Sequence, residues 1–343
     1  MNKEFLTKTI AQLMAPSKGI LAIDESISTC NKRFEHLGVP ATEEKRRAYR
    51  ELLITAPEIE KYISGFILFD ETIKQSTKDG LPAQAGKSFP SILKEKGIEI
   101  GIKVDTGTED FPAHPGEKIT EGLDGLSKRL KEYKNMGASF AKWRAVITIS
   151  EDIPTEADLI ANADALARYC LACKEEGLVP IVEPEVLMDG NHSIEKCYEV
   201  TAHNLDILFA ELSDLDVYIP GVILKTSMIV PGIDSGEKVS DEEVARLTLK
   251  CLKEHVPENI GGIVFLSGGM KDEEATTRLN TMKKMGDLPW PLTFSYGRAI
   301  QNEALEHWAK NPADISGAQK LLLEKARANS LASVGQYKYE RGN

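Results

Sequence analysis

Charged residues inside apolar runs are the first feature of this sequence that could do chemistry. Lys142 and Arg144 lie two positions apart in the run FAKWRAV, and Glu183 and Glu185 lie two apart in LVPIVEPEV. If both runs are strands, the members of each pair point to the same side of their strand. An ionised side chain in an apolar strand costs free energy unless it is paired or used. The sequence therefore predicts two cations beside two carboxylates at one site.

Other polar residues stand at the ends of further apolar runs. They are Asp24, Lys103, Lys225, Ser267 and Arg298. A structural ion pair would explain any one of the charged residues. The whole set, placed at the same end of successive runs, is better explained by a shared catalytic site.

Three lysines belong to this set, which predicts amine chemistry. Each ammonium group lowers the pKa of its lysine neighbours, and burial acts in the same direction. A lysine amine that is neutral part of the time can attack a ketone and form an imine. The protonated imine then accepts the electrons released when an adjacent carbon–carbon bond breaks. A carboxylate must remove a hydroxyl proton and an acid must help to expel water, and Glu183, Glu185 and Asp24 are available for these steps.

Eight apolar, β-rich runs must position these side chains. The runs are Gly19–Asp24, Gly65–Asp70, Ile98–Asp105, Phe140–Val146, Leu178–Val186, Gly221–Met228, Gly262–Gly268 and Leu292–Arg298. A turn and a helical stretch separate each run from the next, as in strand-plus-helix units. Eight such units predict an α/β fold, a TIM (β/α)8 barrel with catalytic residues at the C-terminal strand ends. A doubly wound open sheet is the alternative, but no glycine-rich phosphate loop follows the first run.

Capping residues predict where several helices begin and end. Thr42 precedes two glutamates, and Ser240 with Glu243 forms a capping box that opens a helix over Asp241–His255. Gly177 predicts the end of the helix before the fifth strand. Because no linker or break in composition appears, we predict one domain over residues 1–343, with a mobile tail over residues 330–343.

The last two runs end in segments that suit phosphate binding. They are Ser267, Gly268 and Gly269 after the seventh run, and Ser295, Gly297 and Arg298 after the eighth. TIM barrels often bind phosphate between these two loops, where glycines let backbone N–H groups approach the oxygens. An arginine there adds a charge-assisted hydrogen bond.

Composition excludes several classes of partner and cofactor. The net charge is −11 without a long cationic run, which argues against nucleic acid and anionic membranes as main partners. The six histidines show no metal-binding spacing, so no metal or other cofactor is expected. Cys170 and Cys173 fall in a helical pattern, which favours reduced cysteines over a redox or metal site. No run is apolar and long enough to cross a membrane, so we expect a soluble, cytoplasmic protein.

Several segments, in order along the chain, resemble the class I fructose-1,6-bisphosphate aldolase family. They are GKGILAIDES, GIKVD, EGLDGLS, FAKWR, GLVPIVEPEVLMDG, ILK, FLSGG, LTFSYGRA and RANSLAS. FAKWR, VPIVEPE and FLSGG together are highly specific to that family. The resemblance implies a (β/α)8 barrel, a homotetramer and reversible, metal-independent cleavage of fructose 1,6-bisphosphate. The products would be dihydroxyacetone phosphate and glyceraldehyde 3-phosphate.

The same resemblance implies a role for each matching residue. Lys225 matches the lysine that forms the Schiff base, and Glu183 matches the principal general acid/base, with Glu185 in its network. Asp24 matches the carboxylate for the C4-hydroxyl proton, and Lys142 and Arg144 match the cations at the reacting centre. The C1-phosphate side is matched by Ser267, Gly268, Gly269, Ser295, Gly297 and Arg298, and the C6-phosphate side by Ser26, Arg33 and Lys103.

The chain departs from the family pattern at three places. Thr226 replaces the proline that usually follows the Schiff-base lysine, and the loop after the first strand lacks a glycine often found there. An extended tail ending in tyrosine is missing. We therefore expect slow proton exchange at the enamine, measured as solvent tritium uptake into dihydroxyacetone phosphate, unless Tyr337 or Tyr339 substitutes.

Other functions stay open at this point. One is a transaldolase or a Schiff-base aldolase that prefers sedoheptulose 1,7-bisphosphate, although two predicted phosphate sites favour a bisphosphate. Another is a catalytically silent scaffold protein. Such a protein should have lost the charged strand-end residues, all of which this chain keeps.

Overall fold

The computed structural model describes residues 3–78 and 86–338, and at its centre eight parallel strands form a closed barrel. These strands are β1 (Gly19–Ala22), β2 (Ile63–Leu68), β3 (Glu99–Lys103), β6 (Phe140–Ile147), β7 (Val179–Val186), β8 (Ile223–Thr226), β9 (Gly262–Phe265) and β10 (Leu292–Tyr296). They follow one another in this order around the barrel, and β10 pairs with β1. Every predicted run overlaps one barrel strand, although β2 begins two residues earlier and β6 ends one residue later than predicted. The TIM-barrel prediction is confirmed and the open sheet is excluded.

Twelve α-helices and two short 3₁₀ helices, Ile59–Lys61 and Ile219–Gly221, accompany the strands in the described residues. The α-helices are α1 (Lys3–Leu13), α2 (Ile27–His36), α3 (Glu43–Ile54), α4 (Asp70–Ile73), α5 (Phe89–Glu95), α6 (Leu126–Asn135), α7 (Glu156–Glu176), α8 (Ile194–Asp214), α9 (Asp241–His255), α10 (Asp272–Lys284), α11 (Arg298–Lys310) and α12 (Ile315–Ala332). The predicted caps are confirmed. The Thr42 side chain accepts a hydrogen bond from Lys45 N, the Ser240 side chain accepts one from Glu243 N, and Gly177 ends α7 at a φ of 67°.

A two-stranded antiparallel hairpin was not predicted from the sequence. It consists of β4 (Gly107–Asp110) and β5 (Lys118–Glu121), and it lies between β3 and α6. Its strands are short, and mostly polar and exposed, so they lack the alternating apolar pattern that identifies a strand. The β3–α6 connection is therefore a structured wall beside the barrel mouth.

Register places the predicted charged residues at similar heights in the barrel wall. Lys103 on β3 pairs with Lys142 on β6, and Arg144 on β6 pairs with Glu183 on β7. Because side chains alternate along a strand, these residues point to the same side as the apolar residues Phe140 and Val179 earlier on their strands. The apolar layer closes the barrel below, and the charged layer lies near its C-terminal end.

Helix α1 covers the N-terminal end of the barrel. Its residues Leu6, Ile10 and Leu13 pack in one apolar cluster with inward-facing strand residues. Glycines make room for it: a Cβ added at Gly65 would lie 2.6 Å from Leu13 Cδ2, and one at Gly262 would lie 2.7 Å from Met14 Cε. The amphipathic N-terminal segment is thus part of the barrel core.

The end of the described chain packs on the barrel's outer layer. The predicted tail boundary at residue 330 falls inside α12, and the Ser330 hydroxyl donates a hydrogen bond to Ser17 O at 2.6 Å. Tyr337 N donates to Asn280 Oδ1 at 3.0 Å. Tyr339 and the remainder of the predicted tail lie outside the described residues, so the mobility of that tail stays a prediction.

Cys170 and Cys173 lie in α7, as predicted, and all five cysteines are buried and unbridged. None of the helices in residues 3–78 and 86–338 combines the length and apolar character needed to span a bilayer.

Candidate active site

A cleft of about 1050 Å³ opens at the C-terminal end of the barrel. Fourteen of the fifteen residues predicted for the site line it. The exception is Gly269, which follows the cleft residue Gly268 and has a φ of 80°. An added Cβ at Gly269 would lie 2.9 Å from the Met188 side chain. Both the positive φ and the lack of space therefore favour glycine at this position.

Two lysines and two carboxylates form a chain of contacts at the centre of the cleft. Lys225 Nζ lies 3.1 Å from Glu183 Oε1. The other carboxylate oxygen, Glu183 Oε2, lies 3.2 Å from Lys142 Nζ, although not in hydrogen-bond geometry. Lys142 Nζ continues the chain to Asp24 Oδ2 at 2.8 Å. Strands β8, β7, β6 and the loop after β1 each supply one member, so barrel closure is what brings them together.

The electrostatics of this chain follow from burial and pairing. Burial raises the pKa of Asp24, but Lys142 and Lys225 outweigh it and the pKa falls to about 2. For Glu183, burial likewise opposes ionisation, but the attraction of the same two lysines is stronger, so the pKa is lowered. Burial lowers the pKa of Lys142, yet Asp24 and Glu183 raise it above its usual value. All three groups are therefore held in their charged forms.

The expectation that neighbouring lysines lower one another's pKa is wrong for Lys142. Its ammonium lies between two carboxylates, and their attraction exceeds both the cost of burial and the repulsion from other cations. Lys142 is a fixed positive charge in the centre of the cleft.

Two further ion pairs flank the centre. Arg144 Nε donates to Glu185 Oε2, and this pair lies next to the Lys142–Glu183 contact on the same two strands. Lys103 Nζ donates to Asp105 Oδ1 and, at 2.8 Å, to Asp105 O. Asp105 Oδ2 in turn accepts from Arg144 N at 3.3 Å. Lys103 and Arg144 are thus tied to the same carboxylate.

One end of the cleft combines glycines with a helix N-terminus. Helix α11 begins at Arg298, directly after Gly297. Ser295 is buried, and no described residue hydrogen-bonds to its Oγ. A Cβ on Gly268 would lie 3.0 Å from Glu185 Oε1 and 3.4 Å from Arg298 Nη2, so glycine keeps this wall open. The N-terminus of α11, the glycine backbone, a hydroxyl and a guanidinium together can bind an anion.

The opposite wall is built on α2. Ser26 is its N-cap, and the Ser26 side chain accepts from Thr29 N at 3.3 Å. Arg33, two turns later, donates to Glu25 Oε1 through Nη1 and to Asn302 Oδ1 through Nη2. Arg33 and Ser26 therefore face the cleft from one helix, at a position that can bind a second anion.

Sequence reasoning missed several residues that line the cleft. Glu25 and Asp105 are the partners of predicted cations, and their positions directly after strands could have revealed them. Lys74 and Arg129 lie beyond the end of α4 and on α6. Nothing in the strand pattern marks a helical residue as part of the site, so these two carried no signal.

The cleft differs in charge from the rest of the molecule. Its lining contains eight basic and seven acidic residues, a formal charge of +1, whereas the whole chain carries −11. Within residues 3–78 and 86–338, no three His, Cys, Asp or Glu side chains converge to hold a metal ion. The arrangement offers a buried amine, carboxylates paired with lysines, and groups at either end that can bind an anion.

Comparison with known proteins gives a consistent match over the whole chain. A family model described as fructose-bisphosphate aldolase class-I matches residues 5–343. A protein of Xanthomonas campestris pv. campestris, named probable fructose-bisphosphate aldolase class 1, is 54% identical over 339 residues. The match covers 98% of this chain and 100% of that protein.

Two further matches come from other organisms and have lower sequence identity. Fructose-bisphosphate aldolase 4, cytosolic, of Arabidopsis thaliana is 48% identical over 97% of this chain and 84% of its own length. A solved structure of fructose-bisphosphate aldolase from Plasmodium falciparum, in complex with TRAP and a small molecule inhibitor, matches with a TM-score of 0.95. That protein is 42% identical, and the match covers 98% of this chain and 96% of the other.

Proposed function

We infer the chemistry of the cleft from the premise that the chain belongs to the class I fructose-bisphosphate aldolase family, whose members are lyases that act on sugar phosphates. The reaction is the reversible cleavage of fructose 1,6-bisphosphate to dihydroxyacetone phosphate and glyceraldehyde 3-phosphate. The roles of single residues below are our proposal for this chain.

Lys225 forms the Schiff base in this proposal. Its amine attacks C2 of the ketose, water leaves, and the resulting imine is protonated. Glu183 contacts Lys225 Nζ at 3.1 Å and supplies and removes the protons of these steps. The observation that carries the proposal is this contact, which places a carboxylate directly on the one cleft amine that belongs to β8.

Asp24 removes the C4-hydroxyl proton. As that proton leaves, the C3–C4 bond breaks, glyceraldehyde 3-phosphate forms, and the electron pair moves into the iminium to give an enamine. Asp24 is ionised at neutral pH because its pKa is about 2, so it can accept the proton without prior deprotonation. Lys142, 2.8 Å away, holds this carboxylate and stabilises charge that develops at the reacting oxygen.

The two anion sites hold the two phosphates. Ser267, Gly268, Ser295, Gly297 and Arg298 bind the C1 phosphate, next to Lys225, and Gly269 shapes the turn that follows Gly268. Ser26, Arg33 and Lys103 bind the C6 phosphate on the opposite wall. A substrate held at both ends keeps its C2 carbonyl within reach of one amine, and this converts binding energy into orientation.

Reductive trapping tests the role of Lys225. Borohydride, added to the protein together with dihydroxyacetone phosphate, should reduce the imine and leave a stable adduct on Lys225, located by peptide mass spectrometry. The variant Lys225→Met should give no adduct and no turnover. A matched control is Lys103→Met, which removes another cleft lysine and should still be labelled. Label on a different lysine, or turnover by Lys225→Met, would refute the proposed role.

The proposal extends to assembly and location. We propose a homotetramer in the cytoplasm. The family resemblance supports the tetramer. The cytosolic plant relative and the five buried, unbridged thiols support the cytoplasmic location. Light scattering on the purified protein measures the mass, and a monomeric result would count against the tetramer.

A further inference from the structure

Gln301 is a buried amide that does not line the cleft but contacts two residues that do, Ala22 and Arg33. It lies on α11, one turn after Gly297, and has no exposed surface. Its Nε2 donates a hydrogen bond to Ala22 O at 2.5 Å, at the end of β1. Its Oε1 accepts from Tyr49 OH at 2.7 Å and from Arg33 Nη1 at 3.2 Å.

The orientation of this amide is fixed by its partners. Arg33 can only donate and Ala22 O can only accept, so the oxygen must face α2 and the nitrogen must face β1. Gln301 thereby joins Arg33 to the end of β1, and Asp24 follows two residues later in the loop. Its hydroxyl partner, Tyr49, is buried on α3 and prevents the amide oxygen from turning away.

The charged groups around Arg33 leave a net positive charge that can attract an anion. Arg33 and Arg50 both pair with one carboxylate, that of Glu25, and Arg50 Nη2 lies 2.8 Å from Glu25 Oε2. Two guanidinium groups with one carboxylate leave one positive charge uncompensated. Since the Gln301 oxygen is neutral, it holds Arg33 in place without cancelling that charge.

We propose that Gln301 is a positioning residue for the distal phosphate of the substrate. It fixes the distance between Arg33, which binds that phosphate, and the end of β1, two residues before Asp24. The inference rests on the function proposed above, and it adds a cause for selectivity towards ketoses that carry a phosphate at the far end. A ketose with a phosphate at its far end should depend on Gln301, and the same ketose without that phosphate should not.

Two substrate pairs test this role. For Gln301→Met, kcat/KM is measured with fructose 1,6-bisphosphate and with fructose 1-phosphate. The ratio of the two values should fall about tenfold, the size expected when one charge-assisted contact is lost. In the condensation direction, glyceraldehyde 3-phosphate against glyceraldehyde gives the same comparison. A merely structural role would lower both members of a pair by one factor and leave the ratio unchanged.

Two other variants control the experiment. Asn329→Leu removes a fully buried amide on α12, bonded to Thr276 and Lys325 away from the cleft, and should lower the melting temperature without changing the ratio. If Gln301→Met does not fold, Tyr49→Phe releases the same amide oxygen and should lower the ratio severalfold. An unchanged ratio in folded Gln301→Met, or in folded Tyr49→Phe, overturns the inference. Loss of all turnover by the unmodified protein would instead overturn the proposed function.

Discussion

Lys142 is the residue on which the charge balance of the cleft depends. It contacts Asp24 at 2.8 Å and Glu183 at 3.2 Å, and it contributes to the low pKa of both carboxylates. Without it, two buried carboxylates would lie near each other with only Lys225 between them. Lys142 therefore allows two acids to stay ionised in a space where one would otherwise become protonated.

Replacing Lys142 by Met should lower kcat about 100-fold, because a fixed charge near the reacting oxygen is lost. The pKa values of Asp24 and Glu183 should rise, so the acid limb of the kcat/KM profile should move to higher pH. Borohydride should still label Lys225.

Steady-state kinetics across pH check this prediction, with Lys74→Met as the control. Lys74 also lines the cleft but is half exposed and paired with Asp70, so its loss should change kcat by no more than about twofold. An acid limb that stays in place in Lys142→Met would contradict the account.

For single residues, the sequence predicts which side chains lie in the cleft better than it predicts the directions of their pKa shifts. Strand parity alone placed Lys142 and Arg144 on the face shared with Glu183 and Glu185, and the structure agrees. The direction of the Lys142 pKa shift depends on which oxygens lie within about 3 Å, a consequence of register between distant strands. Spacing along one strand does not carry that information.

The β4–β5 hairpin is the element that sequence patterns missed, and it is held by buried acids. Glu117, in the loop before β5, accepts from Thr155 Oγ1 at 2.8 Å and contacts His114 Nδ1 at 3.1 Å. Thr155 is the N-cap of α7, so this carboxylate ties the hairpin to that helix. Asp158, in the first turn of α7, is buried and bonded to Asn162 at 3.0 Å.

The stability of this junction should depend on pH. Burial, and then Glu117, raise the pKa of Asp158 from 3.8 to about 7. A raised pKa favours the neutral acid in the folded state, so its stabilising effect is complete below 3.8 and is lost as pH rises through about 7. His114, Glu117 and Asn162 are the polar groups that face this region from the hairpin and the helix.

Asp158→Asn keeps the side chain neutral at every pH. It should therefore stabilise the protein by about 2 kcal/mol at pH 8 and by little at pH 5. Denaturant unfolding at both pH values measures the difference. The control Asp164→Asn, at a half-exposed position on the same helix, should show no such pH dependence. Equal effects of Asp158→Asn at pH 5 and pH 8 would contradict the prediction.

Helices and strands that carry a clear apolar run or cap residues can be predicted from the sequence, whereas the hairpin, which carries neither, cannot. Eight barrel strands and the capped helices α3, α7 and α9 carry apolar runs or cap residues, and their approximate positions follow from the sequence. The hairpin is polar and pairs only with itself. Its existence depends on contacts with α7, which are remote along the chain and leave no local pattern.

In the molecule as a whole, chemistry and stability are separated along the barrel axis. The charged cleft is at one end, and the apolar cluster under α1 is at the other. TIM barrels commonly divide their residues in this way. A change at the α1 end should therefore alter stability with little effect on the reaction.

Gly262→Val should destabilise the protein by about 2 kcal/mol, because the new side chain would overlap Met14. Met14→Ala in the same chain should recover part of the loss, since it removes the overlapping atoms. Thermal unfolding of both variants measures the effect, and kcat should stay within about twofold of the original value. A large fall in kcat for folded Gly262→Val would show that the two ends are coupled.

Helix α1 also sets a constraint on biosynthesis. It precedes every barrel strand in the sequence, yet part of the surface it packs on, Gly261 and Gly262, is translated only after six barrel strands. Its apolar residues therefore stay exposed to solvent while most of the polypeptide is still being translated. A nascent-chain intermediate with a loose amino-terminal segment, accessible to protease until late in translation, follows directly from how the barrel floor is closed.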